Sequence, residues 1–288
     1  MKPHTNDHTD SRRGFLAGSA LSALAGTVLP LAPAGAQTAQ EEPKSTIKGQ
    51  QYWAVKHVDG QDVRLFMWRK RLSDTTKVPR RGTIVFVHGS SVSSTPVFDL
   101  QIAGRPESST MDWFARLGYD TWCFDCEGYG HSDKSRPVDG DVAWAAADLA
   151  GVTECIVETN GGAKVLLYGS SSGALRAALF AQRHPERVAR LALDALVWTG
   201  EGSPTLAERK KRLAQFRASN RRPIDRDMIR SIFTRDHPGT SDLTIVDALA
   251  DARLPLDTSG PTGPYVDMPA HRPDADPSKI DLPTCTQP

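Results

Sequence analysis

The sequence predicts an α/β fold, a mostly parallel sheet with helices on both faces. Two observations carry this expectation. Residues 83–87, 119–124, 164–168 and 188–193 read as strands that are apolar along their length, the composition of strands buried on both faces. Segments whose apolar residues fall at helical spacing separate them, and strands alternating with helices pack as a parallel sheet.

Taken in order, residues 1–36 read as an export signal. Ser11-Arg12-Arg13-Gly14-Phe15-Leu16 precedes a weakly apolar stretch ending near residue 29, and Ala34-Gly35-Ala36 has the small-x-small pattern of a signal-peptidase site. The stretch is too short and too rich in Gly, Ala and Ser to span a bilayer stably. Together these features resemble a twin-arginine signal. That resemblance implies the twin-arginine export machinery as a partner and a bacterial protein that works in the periplasm or is secreted. Residues 37–50 are polar and unpatterned, as in a tether.

The α/β core is expected over residues 51–199. Two strand-like runs, 52–58 and 63–69, flank Asp59-Gly60, a dipeptide suited to tight hairpin turns. The strand at 83–87 ends in His88-Gly89-Ser90, and 111–117 has helical spacing. After the strand at 119–124 comes Asp125-Cys126-Glu127-Gly128-Tyr129-Gly130-His131-Ser132. Val142, Ala145, Leu149, Val152 and Ile156 then mark an amphipathic helix that stops at Gly161-Gly162. Residues 174–184 form the next expected helix.

Residues 200–270 break the rhythm: they are polar, with apolar residues at helical spacing, and read as a helical insertion. Its basic runs, Glu208-Arg209-Lys210-Lys211-Arg212 and Asn220-Arg221-Arg222, are expected to be solvated helix faces, because acids are interspersed downstream.

Charge excludes little but lowers some readings. Lys and Arg total 35 against 34 Asp and Glu, and beyond residue 36 the two are equal at 32 each. So even a balance gives no global field toward nucleic acid or anionic lipid. Four cysteines are too few for a disulfide scaffold. Cys123 and Cys126 form a C-x-x-C with no second pair to complete a metal site, so neither a metal nor a cofactor is expected.

The chemistry concentrates in Gly169-Ser170-Ser171-Ser172-Gly173. A G-x-S-x-G directly after a buried strand makes a cramped strand-to-helix turn that lifts its central serine into reach of a substrate, so Ser171 is the candidate nucleophile. From Arg81 to Asp194 the order of parts resembles the α/β-hydrolase family: the strand ending in His88-Gly89, the D-x-x-G-x-G-x-S loop at 125–132, the elbow, and the helix ending in Arg183-His184-Pro185-Glu186-Arg187-Val188. The resemblance implies that residues 200–270 cap the active site and that the oxyanion hole uses the backbone NH groups of Ser172 and Ser90. A serine, rather than a carboxylate, at the elbow implies attack on the carbonyl carbon of a small acyl substrate through an acyl-enzyme.

The triad's remaining members are harder to place. Residues 271–288 are expected to hold the start of a returning core strand, and 279–284 resemble the strand that in this family precedes a glycine turn and the catalytic aspartate. The sequence then reads Cys285-Thr286-Gln287-Pro288. Asp194, after the next strand, stands where some relatives carry their acid. His184, His237 and His271 follow Ser171, and none matches the family's base; His271 is the nearest stand-in. His88 belongs to the oxyanion turn and is expected to brace it. The expectation is a serine hydrolase shortened at its C-terminal end and inactive or impaired. The other class open to the sequence is a non-catalytic binding protein of the same fold.

Overall fold

The computed structural model describes residues 46–235, 238–270 and 275–287. The segment expected to be an export signal, His237 and His271 lie outside them. Strands β1 (Ile47–Val58) and β2 (Gln61–Leu72) form the hairpin around Asp59-Gly60. β1 begins inside the segment expected to be a tether, because main-chain pairing continues out to Ile47 opposite Leu72, a tertiary gain that side-chain pattern does not signal. The core continues with β3 (Gly82–Val87), α1 (Ser94–Phe98), α2 (Thr110–Arg116), β4 (Tyr119–Phe124), α3 (Val142–Asn160), β5 (Val165–Ser170), α4 (Ser172–Arg183) and β6 (Val188–Asp194). Asp141 accepts a hydrogen bond from the Trp144 amide at 2.6 Å and so caps α3, while Gly161 closes it in the left-handed conformation.

The insertion holds α5 (Pro204–Lys211), α6 (Leu213–Arg217), β7 (Arg221–Pro223), α7 (Arg226–Thr234), α8 (Leu243–Arg253), β8 (Ser259–Pro261) and α9 (Gly263–Asp267). It is mostly helical, as expected, but β7 and β8 pair as a short antiparallel ribbon, with Arg222 opposite Gly260. Three-residue strands carry too little sequence to show a period.

The last strand, β9 (Thr284–Gln287), pairs parallel with β6. The strand-like reading of 279–284 is corrected here. Residues Pro277–Lys279 form a 3₁₀ turn, the Ile280 amide is bonded back to Pro277, and Pro283 has no N–H to give, so pairing starts at Thr284.

The main sheet has seven strands in the order β1-β2-β4-β3-β5-β6-β9, parallel apart from the β1–β2 and β2–β4 pairs. Alternate residues face opposite layers. Val85, Val87, Val165, Leu167, Leu191 and Leu193 pack with α3 and α4 on one side, while Ile84, Phe86 and Cys123 meet Phe98 and Met111 of α1 and α2 on the other. A smaller apolar cluster joins Ile224, Ile229, Leu249 and Ala250 of the insertion to Val92 and Leu100 of the core. Among the described residues no helix is long and apolar enough to cross a membrane.

Candidate active site

The parallel strands β3 and β5 lie side by side and deliver their C-terminal ends to one place. β5 runs straight into α4, and the single residue between them is Ser171, at φ 57° and ψ −124°. A non-glycine residue at positive φ costs on the order of 1–3 kcal/mol, so surrounding structure must hold it there. Three contacts do so. The Ser171 amide donates to the Asp194 carbonyl at 2.9 Å. A Cβ at Gly173 would sit 2.7 Å from the His88 carbonyl oxygen and closer still to that of Val87. At Gly169 it would strike the backbone of Gly173 and Ala174. The two glycines thus let the first turn of α4 press against both flanking segments.

The expected oxyanion turn meets this elbow. A Cβ at Gly89 would lie 3.3 Å from the Ser170 carbonyl oxygen and 3.4 Å from the Ser171 Cβ. Ser171, Ser172, the first residue of α4, and Ser90, directly after Gly89, are therefore gathered at one point. The twelve-residue α4 starts there, and its positive end favours a developing oxyanion.

His88 is buried completely and braces the turn. Its Nδ1 donates to the Gly89 carbonyl at 2.6 Å, and its Nε2 accepts from the Cys126 amide at 3.1 Å. That pairing uses both nitrogens of the neutral ring. Burial, reinforced by the charge of Arg176, pushes its pKa down to about 3. Arg176, also fully buried, donates from Nη1 to the His88 carbonyl at 2.9 Å. Asp125 holds the neighbouring loop: its carboxylate accepts from the Ser94 amide and hydroxyl at 2.8 and 2.7 Å and from the His131 amide at 2.9 Å. Ser132 completes that motif, accepting from the Phe66 amide at 2.8 Å and donating to the Asp125 carbonyl at 2.5 Å.

Asp194 ends β6 beside the elbow, but its carboxylate accepts hydrogen bonds from the Tyr168 hydroxyl at 2.8 Å and the Ser170 hydroxyl at 3.0 Å. Burial, with the adjoining Asp194 charge, raises the Tyr168 pKa. None of the described histidines joins Asp194 or the Ser171 hydroxyl. His184 closes α4 thirteen residues beyond Ser171, about 20 Å along the helix, and leans on Glu186 at 3.4 Å. His57 pairs with Asp62 near the hairpin turn, and His131 stacks on Phe66. Cys123 and Cys126 are free, buried thiols; burial raises both, Cys126 to about 12, so neither is a ready thiolate. No group of metal-ligating side chains occurs among the described residues.

The insertion supplies residues that sequence reasoning missed. Arg222 reaches down from β7, and its Nη2 donates to the Ser90 carbonyl at 2.8 Å and the Ser91 hydroxyl at 3.1 Å. Tyr265 on α9 joins the same hydroxyl at 3.1 Å. Buried Asp257 accepts from the Gly130 amide at 2.6 Å and pairs with Arg253 at 2.7 Å and with Lys134. The Arg221-Arg222 dipeptide was visible as a basic run. Its inward turn depends on pairing with β8, 38 residues away in sequence for the Arg221–Ser259 contact.

Residues 82–227, half of the chain, match the sequence profile of the family described as alpha/beta hydrolase fold, and the chain belongs to that family. Among curated relatives it is 32% identical over 180 residues to a 2-hydroxy-6-oxononadienedioate/2-hydroxy-6-oxononatrienedioate hydrolase of Escherichia coli, an alignment covering 60% of this chain and 54% of that protein. The chain thus spans about half the length of the curated relatives it matches. Among solved structures it is similar to a thermophilic esterase from Thermogutta terrifontis, with a TM-score of 0.55 at 20% identity over 82% of this chain and 79% of that one. A potato epoxide hydrolase also scores 0.55, at 15% identity over 84% of this chain and 81% of that one. Both likenesses are of fold.

Proposed function

We propose that the protein is a serine hydrolase that attacks the carbonyl carbon of a carboxylic ester or related acyl substrate and forms an acyl-enzyme at Ser171. The observation that carries this reading is the strained backbone of Ser171, held at positive φ where the oxyanion turn meets the start of α4. Strain of this kind persists where the surroundings enforce it, and it clusters at catalytic positions. The curated relative, by its name a hydrolase, supports hydrolysis as the kind of reaction.

In the proposed step the Ser171 oxygen adds to the carbonyl carbon, and the backbone NH groups of Ser90 and Ser172 hold the oxygen that becomes negative. Removing one such donor typically costs about 3–4 kcal/mol of transition-state stabilisation. Collapse expels the alcohol, and water then frees the acyl group. The serine proton needs a base, and the described histidines do not supply it. His88 is committed through both nitrogens, and His184 stands at the far end of α4. Turnover far below that of an ordinary esterase is therefore the expectation, since oxyanion hole and binding alone leave about 10³ to 10⁴ over water. His271 is the stand-in base we propose to test.

The test is p-nitrophenyl acetate hydrolysis by the purified chain. Weak release that falls to background in Ser171→Ala is expected, and release unchanged in that variant would reject the nucleophile. A drop on His271→Ala would assign the base. We further propose export by the twin-arginine route from the pattern at residues 11–36; N-terminal sequencing of periplasmic material should begin at Gln37, and retention of Met1 would contradict it.

A further inference from the structure

Three successive carbonyls in the turn after β3 are each held by a side chain, and the side chains come from three different places. Arg176 of α4 donates from Nη1 to the His88 carbonyl at 2.9 Å. His88, within the turn, donates from Nδ1 to the Gly89 carbonyl at 2.6 Å. The Ser90 carbonyl accepts from Nη2 of Arg222, on β7, at 2.8 Å and from the Tyr129 hydroxyl at 3.3 Å. In a planar trans peptide the N–H points opposite to the C=O, so holding a carbonyl also aims the amide that follows it. The amides aimed in this way are those of Gly89, Ser90 and Ser91. No described residue accepts a hydrogen bond from any of them. Ser90 is only 3% exposed, and a buried amide without an acceptor costs about as much as a lost hydrogen bond.

Arg222 is the member of this set that the insertion contributes. The expectation that Asn220-Arg221-Arg222 is a solvated face is corrected at its last residue, which is 7% exposed. Pairing of β7 with β8 sets Arg222 opposite Gly260, and a Cβ on Gly260 would lie 3.8 Å from the Ser90 carbonyl oxygen. The ribbon therefore sits directly against the turn. Nη2 also donates to the Ser91 hydroxyl at 3.1 Å, and the guanidinium lies 3.8 Å from the centre of the Tyr265 ring. These described partners, a carbonyl, a hydroxyl and a ring, carry no formal charge. Burying a cation is costly unless an opposite charge compensates it, and the neutral Tyr129 hydroxyl already bonds the same carbonyl. What the guanidinium adds is a charge-assisted bond, which polarises the peptide and holds it more stiffly than a neutral donor does.

We propose that Arg222 is a positioning residue of the oxyanion turn, through which the docked insertion sets the Ser90 amide for the developing negative oxygen. The Gly89 carbonyl is tied to His88 and the Ser90 carbonyl to Arg222, so both peptide planes that meet at Ser90 are held. A donor fixed in advance stabilises charge without reorganising as the charge develops. Losing Arg222 lets the Ser90–Ser91 peptide turn and returns that reorganisation to the reaction. The inference rests on the reading of Ser171 as nucleophile with the Ser90 amide as an oxyanion donor, and it adds the part of the insertion that orders the donor.

The experiment treats the full folded chain with trifluoroacetophenone isotopically labelled at its carbonyl carbon. The Ser171 oxygen bonds to that carbon, the carbonyl electron pair moves onto the ketone oxygen, and the serine proton leaves to solvent. The adduct is a stable copy of the proposed oxyanion. Its carbon NMR shift, followed against pH, gives the pKa of that oxygen, which is lower the better the turn holds the anion. Arg222→Met should raise this pKa by about one unit, a tenfold weaker hold. Ser91→Ala removes one of the groups that seat the guanidinium; it should raise the pKa by less, and it keeps the test open if Arg222→Met does not fold. Lys211→Gln removes a charge from the cavity that Arg222 also lines, and should leave the pKa where it is. A residue that only held the fold together would change the melting temperature and the yield of adduct, not the pKa of the adduct formed. An unchanged pKa in Arg222→Met, or in Ser91→Ala should the first not fold, would overturn the proposal and leave Ser171 standing. So would a shift in Lys211→Gln as large as that in Arg222→Met. An adduct missing from the parent, or still formed by Ser171→Ala, would overturn the Ser171 reading and this inference with it.

Discussion

The elbow and the insertion both hold something costly in place, and they do so by opposite means. At the elbow the cost is backbone strain at Ser171, and it is enforced by neighbours in sequence and by close backbone contact through Gly169 and Gly173. In the insertion the cost is a buried cation, Arg222, held by groups far away in the chain, Ser90, Ser91 and Tyr265. The first device needs a fixed short motif, and the second needs only that distant elements dock correctly. The contrast teaches where sequence reading succeeds: local steric requirements write themselves into consecutive residues, while long-range electrostatic ones leave a run of basic residues that looks like any solvated surface.

The sharpest way to break the comparison is at the elbow. Gly173→Ala would drive a methyl group into the backbone of Val87 and His88, which cannot swing aside as a side chain would. A loss of about 4 kcal/mol or more is expected, seen as poor soluble yield and a collapsed denaturant midpoint. A variant as stable as the parent would show that α4 does not press on the Val87-His88 backbone.

The insertion should respond through its charges. Asp257→Ala removes the acceptor that ties Gly130, Arg253 and Lys134 together and leaves the fully buried Arg253 without its carboxylate. Breaking one side of such a pair costs about 3 kcal/mol. Urea unfolding checks it, and a change below experimental error would mean that this network contributes nothing to docking the insertion.

An effect confined to acid is expected at His88. Its folded pKa lies near 3 and its ordinary value is 6.5, so the unfolded chain takes up a proton that the native chain refuses. Stability from this group is fully present above pH 6.5 and is lost as pH falls from there toward 3. Thermal melts across that window should fall less steeply for His88→Asn than for the parent. Parallel curves would place the histidine's proton elsewhere.

Particular residues show how much could be read in advance. The four parallel strands, the Asp59-Gly60 hairpin and the helix between Asp141 and Gly161 are each decided by their own residues, and the structure has them within a few positions. The five-residue α1 and the β7–β8 ribbon are shorter than the period that would reveal them. Start points were misjudged where pairing decides them, at Ile47 and at Thr284. The meeting of the Ser171 turn with the His88-Gly89 turn was legible through the elbow motif. Arg222 was not, because nothing in Asn220-Arg221-Arg222 says which arginine turns inward. Nor could sequence show that the Asp194 carboxylate is taken by Tyr168 and Ser170.

The central claim is that the geometry at the elbow makes Ser171 the reactive oxygen, and covalent labelling tests it most directly. The purified chain is exposed to excess fluorophosphonate probe for long enough to capture a slow nucleophile, digested, and mapped by peptide mass spectrometry. The account predicts a single adduct on Ser171, absent from Ser171→Ala and present in Ser170→Ala. Labelling on Ser170 or Ser172, or labelling that survives Ser171→Ala unchanged, would contradict it.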